Sequence, residues 1–223
     1  MTPTRSIELK GAIFDCDGVL IDSERPWLDL MSAYLEELGA TGVPAESFRG
    51  MSGAEAAAAL SDVAPGQAAV PSAEEIDTAY SAALADLNAP LPGVPELITS
   101  LAGTIPIAVA SNGRREDVRG LLERAGILGC FDAVVTVEDV AAGKPAPDVY
   151  LRAAAKLGLD ASAATAFEDS GVGSQAAHAA GCTVIGVNTD PQTPLVADVR
   201  VSEMTQVRFD PDSRSLAIEA SVP

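Results

Sequence analysis

Two aspartates follow the first apolar run of the chain, in the segment Phe14-Asp15-Cys16-Asp17-Gly18. Side chains at alternate positions of an extended backbone point to the same side, so both carboxylates can face one ligand. A hard divalent cation such as Mg²⁺ prefers oxygen ligands of this kind. By itself the segment is equally compatible with a solvated turn in which Gly18 supplies backbone freedom.

Two further segments carry groups that could hold an anion. Ser111 and Asn112 follow the apolar run Ile105–Ala110 and precede a helix start, where free backbone N–H groups favour negative charge. Lys144 stands in a loop stiffened by prolines and is one of only three lysines in the chain, so it could neutralise a phosphate group. The alternatives are an ordinary helix cap and a solvated surface lysine.

A second acidic pair, Glu168-Asp169, stands where the apolar run Thr165–Glu168 passes into a glycine-containing loop. Adjacent carboxylates repel each other unless a cation offsets their charge. The pair therefore indicates a cation site, although acidic residues are also favoured at the N-terminus of any helix.

Short apolar runs predict the strands that would position these four segments: Gly11–Asp15, Ile105–Ala110, Ala133–Val137, Thr165–Glu168 and Thr183–Val187. Helical patterns with proline or acidic residues near their start and glycine after their end lie between the runs: Val94–Leu101, Arg114–Ala125 and Pro147–Leu157. This alternation predicts an α/β fold with a parallel sheet covered by helices on both faces. Because the carboxyl ends of parallel strands share one edge of a sheet, we expect the four segments to meet there.

The stretch from Ser23 to Leu91 interrupts the alternation, because it contains helical patterns and no convincing strand. One helical face carries Trp27, Leu28, Met31, Tyr34, Leu35 and Leu38. Ser72 and Glu75 form a capping-box pattern before another helix. We therefore predict an all-helical domain at residues 23–91, inserted into a core domain made of residues 1–22 and 92–223.

The two ends of this insertion, Leu20–Ser23 and Pro90–Gly93, are expected to lie side by side and could act as a hinge. After Val201 polar and apolar residues mix without a clear period, so no element is predicted there.

The formal net charge of the chain is −18, which repels nucleic acid and anionic lipid. No run of about 18 apolar residues is present, so we expect no membrane span. The cysteines are scattered, without the spacing of metal ligands: Cys16, Cys130 and Cys182. We expect a cytoplasmic protein with reduced thiols, present as a monomer or a weak dimer, with no nucleic-acid or membrane partner.

The four segments, in this order, resemble the motifs of the haloacid dehalogenase superfamily, which are Asp-x-Asp-Gly, Ser or Thr, Lys, and an acidic pair. The resemblance extends to Asp22-Ser23-Glu24, Gly143-Lys144-Pro145-Ala146-Pro147-Asp148 and Glu168-Asp169-Ser170. It covers residues 11–187 and implies a Rossmann-like core. The small helical cap that subfamily IA inserts after the first motif matches the predicted insertion at 23–91.

The resemblance also implies roles for single residues. Asp15 would be the nucleophile, and Asp17 the general acid and base. Magnesium would be held by a carboxylate oxygen of Asp15, the backbone carbonyl of Asp17, and Asp169, with Glu168 in support. The transferred phosphoryl oxygens would be held by Ser111, the backbone of Asn112, and Lys144. The implied function is a Mg²⁺-dependent phosphatase that hydrolyses a small phosphorylated metabolite, such as a sugar phosphate, through an aspartyl-phosphate.

Other activities of the superfamily fit the sequence less well. Haloacid dehalogenases lack the second aspartate of the first motif, and the related phosphonatases use a cap lysine, a residue absent from 23–91. A mutase of the beta-phosphoglucomutase type is the alternative that stays open. Its hinge histidine is replaced here by Trp27 and its cap arginine by Gly53, although Arg49 could bind a second phosphate instead. A catalytically silent homologue would usually have lost the nucleophile, and Asp15 is present.

Overall fold

The computed structural model describes residues 4–40, 42–49, 51–64, 70–85 and 87–219. It divides into two compact units, one formed by Met1–Asp22 with Asn88–Pro223 and the other by Ser23–Leu87. Residues 88–91, which the sequence assigns to the insertion, lie in the first unit. There the Leu91 N–H donates to the Leu20 carbonyl at 2.9 Å, and Pro90 forms a bridge with Ile21. The two junctions are therefore adjacent, while the hinge and the separate functions of a core and a cap domain stay predictions.

The first unit contains a parallel sheet of six strands, which are β2 (Ala12–Phe14), β3 (Ile107–Ala110), β4 (Ala133–Val135), β5 (Thr165–Glu168), β6 (Thr183–Val187) and β7 (Val199–Val201). Their spatial order is β4-β3-β2-β5-β6-β7. The helices of this unit are α4 (Val94–Leu101), α5 (Arg115–Arg124), α6 (Asp148–Lys156) and α7 (Gly171–Ala179). The predicted α/β fold class is confirmed, and β7 is a strand that the sequence pattern did not indicate.

The central strands are buried along their whole length, as strands covered on both faces must be. Every residue of β2, β3 and β5 is buried. Phe14 on β2 and Phe167 on β5 are register partners, and their rings stack with centroids 4.5 Å apart. This continuous burial explains why the strands appear in the sequence as short, mostly apolar runs without polar alternation.

A second, antiparallel sheet was missing from the prediction. It has the order β1-β9-β8 and consists of β1 (Thr4–Glu8), β8 (Val207–Asp210) and β9 (Ser215–Glu219). The strand β9 does alternate, because Leu216 and Ile218 are fully buried while Ala217 is half-buried. That short alternation, after the turn at residues 211–214, is the signal that could have identified the hairpin.

The second unit contains the helices α1 (Glu24–Glu37), α2 (Gly53–Val63) and α3 (Ala73–Leu84), and its described residues form no strand. The predicted face of α1 is buried at Trp27, Met31 and Leu35. The capping box at Ser72 and Glu75 is present, and a second one at Ser52 and Glu55 begins α2. These caps satisfy backbone N–H groups that the first helical turn leaves without partners.

Among the residues that the structure describes, no helix has the length and apolar character needed to cross a membrane.

Candidate active site

The four predicted segments meet at the carboxyl edge of the parallel sheet. Asp15 follows β2, Ser111 follows β3, and Glu168 is the last residue of β5. The strand β2 lies between β3 and β5, so the strand order reverses beside it. Crevices at such a switch point are where open α/β sheets bind ligands.

Lys144 joins two of these segments by ion pairs. Its ammonium nitrogen lies 2.8 Å from Asp15 Oδ1 and 2.6 Å from Glu168 Oε1, and its side chain is only 5% exposed. Asp15 Oδ1 also accepts a hydrogen bond from the backbone N–H of Cys16 at 2.8 Å. The predicted alternative of a solvated surface lysine is therefore wrong, because the charged end of Lys144 is enclosed by carboxylates.

Burial dominates the electrostatics of this group. It raises the pKa of Asp15 to about 8, with Glu168 and Asp17 adding to the rise, although Lys144 opposes it. Burial alone would lower the pKa of Lys144, but the ion pairs with Asp15 and Glu168 raise it above its ordinary value. Lys144 therefore keeps its charge, while the charged form of Asp15 needs further positive charge near it.

Asp17 is held by a short chain of hydrogen bonds from the segment after β3. The Ser111 hydroxyl donates to Asp17 Oδ2 at 3.1 Å and accepts from the Gly113 N–H at 2.9 Å. Ser111 is fully buried, and these two hydrogen bonds orient its hydroxyl. The structure thus brings Ser111 next to the carboxylate of Asp17.

The Asp169 segment is fitted closely against the first motif. Gly18 has a φ of 73°, and a Cβ there would overlap the Asp169 carboxylate, so glycine is required for this approach. Asn188, directly after β6, donates from Nδ2 to the Asp169 carbonyl at 2.8 Å. The sequence reasoning missed Asn188, although a polar residue directly after a buried strand is the same signal that identified Ser111.

A cation site fits the carboxylates of this edge. Asp15, Glu168 and Asp169 each offer an oxygen, and these oxygens lie within 4.8 Å of one another. Three carboxylates against the single ammonium of Lys144 leave an excess of negative charge, and hard oxygen donors match Mg²⁺. The side chain of Asp17 is outside this group, so its predicted part in metal binding would involve its backbone carbonyl alone.

Tyr150 is a buried member of the site that sequence reasoning missed. Its hydroxyl donates to Glu168 Oε1 at 2.6 Å, and the Ser170 hydroxyl donates to Glu168 Oε2 at 3.1 Å. Burial and the nearby Glu168 and Asp15 raise the pKa of Tyr150 well above its ordinary value, so it stays a neutral donor. Tyr150 lies within α6, and no residue pattern around it in the sequence indicated a role in the site.

Two residues of interest lie in the helical unit. Arg49, predicted to bind substrate, forms an ion pair with Glu24 and is nearly half exposed. Trp27 donates from Nε1 to the Phe48 carbonyl at 2.9 Å and is buried in the core of that unit. A Cβ at Gly53 would overlap the Asp77 carboxylate and stand 3.1 Å from the Ala73 carbonyl oxygen, so a longer side chain there would have to displace Asp77 on α3.

Comparisons with known proteins agree with this arrangement. The family model described as haloacid dehalogenase-like hydrolase matches residues 12–187. The validoxylamine A 7'-phosphate phosphatase of Streptomyces hygroscopicus subsp. limoneus is 33% identical over 213 residues, 90% of this chain and 96% of that protein. The beta-phosphoglucomutase of Bacillus subtilis is 34% identical over 137 residues, 60% of this chain and 59% of that protein.

A solved structure extends the likeness to the whole fold. A haloacid dehalogenase-like protein of unknown function from Agrobacterium tumefaciens superposes with a TM-score of 0.75 at 27% identity, covering 89% of this chain and 95% of that one. The phosphatase among these relatives supports the predicted enzyme class, a phosphoric monoester hydrolase. Together with the match over residues 12–187, these findings confirm the predicted family: the chain belongs to the haloacid dehalogenase-like hydrolases.

Proposed function

We propose that the protein is a Mg²⁺-dependent phosphatase that hydrolyses a small phosphorylated metabolite through an aspartyl-phosphate on Asp15. The observation that carries this proposal is the position of the Asp15 carboxylate, buried at the switch point of the sheet and 2.8 Å from the Lys144 ammonium. A carboxylate is a usable nucleophile at neutral pH if it is ionised and held in place.

In the first step, a carboxylate oxygen of Asp15 attacks phosphorus and the bond from phosphorus to the ester oxygen breaks. Lys144 and the Cys16 N–H both hold Asp15 Oδ1, so the carboxylate presents one orientation to the phosphoryl group. Lys144, Ser111 and the backbone of Asn112 would hold the phosphoryl oxygens. Positioned charge of this kind supplies most of the acceleration in phosphoryl transfer.

Asp17 would move the protons of both steps. It donates one to the leaving alcohol, and it later takes one from the water that hydrolyses the aspartyl-phosphate. Without substrate, the Ser111 hydroxyl donates its one proton to Asp17 Oδ2. When substrate binds, this hydroxyl would turn to a phosphoryl oxygen and leave the Asp17 carboxylate for proton transfer.

The residues that would hold Mg²⁺ are Asp15, Asp169 and the backbone carbonyl of Asp17, with Glu168 in support. When bound, the cation supplies positive charge that keeps Asp15 ionised and offsets the charge of the substrate. Both oxygens of Glu168 already accept hydrogen bonds, from Lys144, Tyr150 and Ser170, which supports an assisting role for this residue.

The proposed substrate class is a sugar phosphate or a similar monoester, because the mutase among the relatives is named for a phosphorylated sugar. Arg25 and Arg49 are the cations of the helical segment that could meet a second anionic group. The proposal places the enzyme in the cytoplasm, as a monomer or a weak dimer, without nucleic-acid or membrane partners. Its charge of −18 and scattered cysteines support that placement.

A sugar-phosphate mutase is the second candidate, favoured by the similarity to a beta-phosphoglucomutase and by Arg49. A mutase must keep water from its aspartyl-phosphate until a second sugar hydroxyl arrives. The residues at the two positions where the mutases carry their hinge histidine and cap arginine argue against this function. Trp27 is buried among apolar side chains, and Gly53 packs against α3.

The test is a panel of phosphorylated sugars and alcohols incubated with enzyme and Mg²⁺, with phosphate release as the readout. Asp15→Asn is the control, because the near-isosteric amide removes the nucleophile. Residual activity within about tenfold of the wild type would exclude the proposed role of Asp15.

A parallel reaction with beta-glucose 1-phosphate and a trace of glucose 1,6-bisphosphate distinguishes the two candidates. If isomerisation to glucose 6-phosphate is much faster than phosphate release, the protein is a mutase and the proposed phosphatase function is wrong.

A further inference from the structure

The side-chain amide of Asn112 contacts the backbone of Lys144 at two points. Asn112 Oδ1 accepts from the Lys144 N–H at 2.8 Å, and Asn112 Nδ2 donates to the Lys144 carbonyl at 3.2 Å. One planar amide thus binds both peptide groups of a single residue. The contact joins the segment after β3 to the loop before α6.

Gly143 makes this contact possible. A Cβ at residue 143 would stand 2.8 Å from Asn112 Oδ1 and 3.1 Å from Val137 Cγ2. The first distance is too short for a Cβ and an oxygen atom, so the end of the Asn112 side chain would have to shift. The second distance is tight, so Val137 opposes a movement of the loop towards it. A side chain at 143 is therefore expected to displace the amide of Asn112 from Lys144.

The far end of Lys144 needs such an anchor. Its ammonium must reach Asp15 and Glu168 together, at 2.8 and 2.6 Å. A lysine side chain has four rotatable bonds, so its end is placed only if its backbone is held. The backbone contact described above supplies that support from a loop that Lys144 does not belong to.

We infer that Asn112 is a positioning residue whose side chain, admitted by Gly143, holds the backbone of Lys144 so that the ammonium reaches both carboxylates. This role is separate from the phosphate contact assigned above to the backbone of Asn112. Its consequence for turnover rests on the proposed function, whereas the placement of Lys144 does not.

The experiment uses the small number of lysines in the chain. Lys10 and Lys156 are exposed and Lys144 is enclosed, so acetylation by acetic anhydride, followed by mass spectrometry of peptides, reports on Lys144 with two internal references. Asn112→Ala removes the amide and keeps the backbone N–H. We expect the rate of Lys144 acetylation, relative to Lys10 and Lys156, to rise about fivefold or more, because two hydrogen bonds that oppose opening of the loop are lost.

Gly143→Ala tests the same contact from the other side and is expected to raise Lys144 acetylation in the same direction. Gly129→Ala is the matched control, since a Cβ at Gly129 meets no atom within 4 Å. Circular dichroism of each variant shows whether its fold is retained. Lys144 acetylation within about twofold of the wild type in folded Asn112→Ala or Gly143→Ala would overturn the inference.

Hydrolysis of p-nitrophenyl phosphate with Mg²⁺ is measured on the same variants. We expect kcat to fall about tenfold or more in Asn112→Ala and Gly143→Ala, with a smaller change in KM and no change in Gly129→Ala. If the wild type shows no turnover while Lys144 is still acetylated faster in the two variants, the result counts against the proposed function and supports the positioning role. If the wild type turns over the substrate while Lys144 in the variants is acetylated at the wild-type rate, the positioning role is overturned and the proposed function stays supported.

Discussion

Replacing Lys144 with methionine removes a buried positive charge from between two carboxylates. The ammonium nitrogen lies 2.8 Å from Asp15 Oδ1 and 2.6 Å from Glu168 Oε1, and the side chain is 5% exposed. Methionine keeps most of the length and volume of the lysine stem. The substitution therefore tests the charge rather than the packing.

The expected magnitude follows from burial. Removing one partner of a buried ion pair costs about 3–5 kcal/mol, because the remaining charge has no compensation. Burial raises the pKa of Asp15 to about 8, so without metal this carboxyl is largely protonated at neutral pH, and Glu168 is the carboxylate that loses its partner. We expect the free energy of unfolding to fall by about 3 kcal/mol, the lower end of the range. Such a loss is large beside a total stability of about 5–15 kcal/mol.

The assay is urea denaturation followed by circular dichroism at neutral pH with EDTA. Lys156→Met is the matched control, because Lys156 is an exposed lysine at the end of α6. Its loss should change the free energy of unfolding by no more than about 0.5 kcal/mol. Added Mg²⁺ should stabilise Lys144→Met more than the wild type, because the cation brings positive charge to the carboxylates that lost it.

Two results would refute the reasoning. The first is a decrease of less than about 1 kcal/mol in the free energy of unfolding of Lys144→Met, which is the size expected for a surface ion pair. It would mean that removing the Lys144 ammonium leaves no buried charge uncompensated. Equal losses in Lys144→Met and Lys156→Met would show that the enclosed position of Lys144 has no energetic consequence.

Three more predictions concern the same edge of the sheet. Activity should disappear in excess EDTA and return with Mg²⁺, since the carboxylates need positive charge before an anionic substrate can bind; full activity in EDTA would contradict the cation site. Without metal, the folded pKa of Asp15 is raised from 3.8 to about 8, so its contribution to stability is greatest at low pH and is lost as the pH rises through about 8. The free energy of unfolding of Asp15→Asn minus that of the wild type should therefore increase between about pH 4 and about pH 8. A difference that does not change with pH would show that the folded state does not raise the pKa of Asp15. Cys16 should react slowly with iodoacetamide, because it is fully buried and burial raises the pKa of its thiol; rapid labelling with matching loss of activity would contradict its orientation away from the site.

The core of the fold could be predicted from sequence because its signals are local. Strands β5 and β6 and helix α4 have the predicted bounds, and β2, β3 and β4 are one or two residues shorter at their ends. A central strand buried on both faces is mostly apolar, so its position is visible without knowledge of its neighbours. The polar residues at the carboxyl ends of these strands identified the edge at which Asp15, Ser111 and Glu168 meet.

The whole sheet formed by β1, β8 and β9 could not be found in this way, because only the hairpin of β8 and β9 carries a local signal. Thr4 pairs with Glu219 from the opposite end of the chain, and β1 carries mostly polar residues. Such a strand gains its hydrogen bonds from a distant partner, and its own sequence does not specify that partner. The pairing is therefore a property of the folded chain.

The sequence by itself determined which residue types reach the active edge, because strand ends and helix starts place them there. The tertiary structure decided what each of them contacts. The burial of Lys144 between two carboxylates, the Tyr150 hydroxyl on Glu168 and the amide of Asn112 on the Lys144 backbone all join separate loops and helices. Their geometry depends on strand register and on side-chain rotamers within a packed interior, and neither is encoded in any local segment.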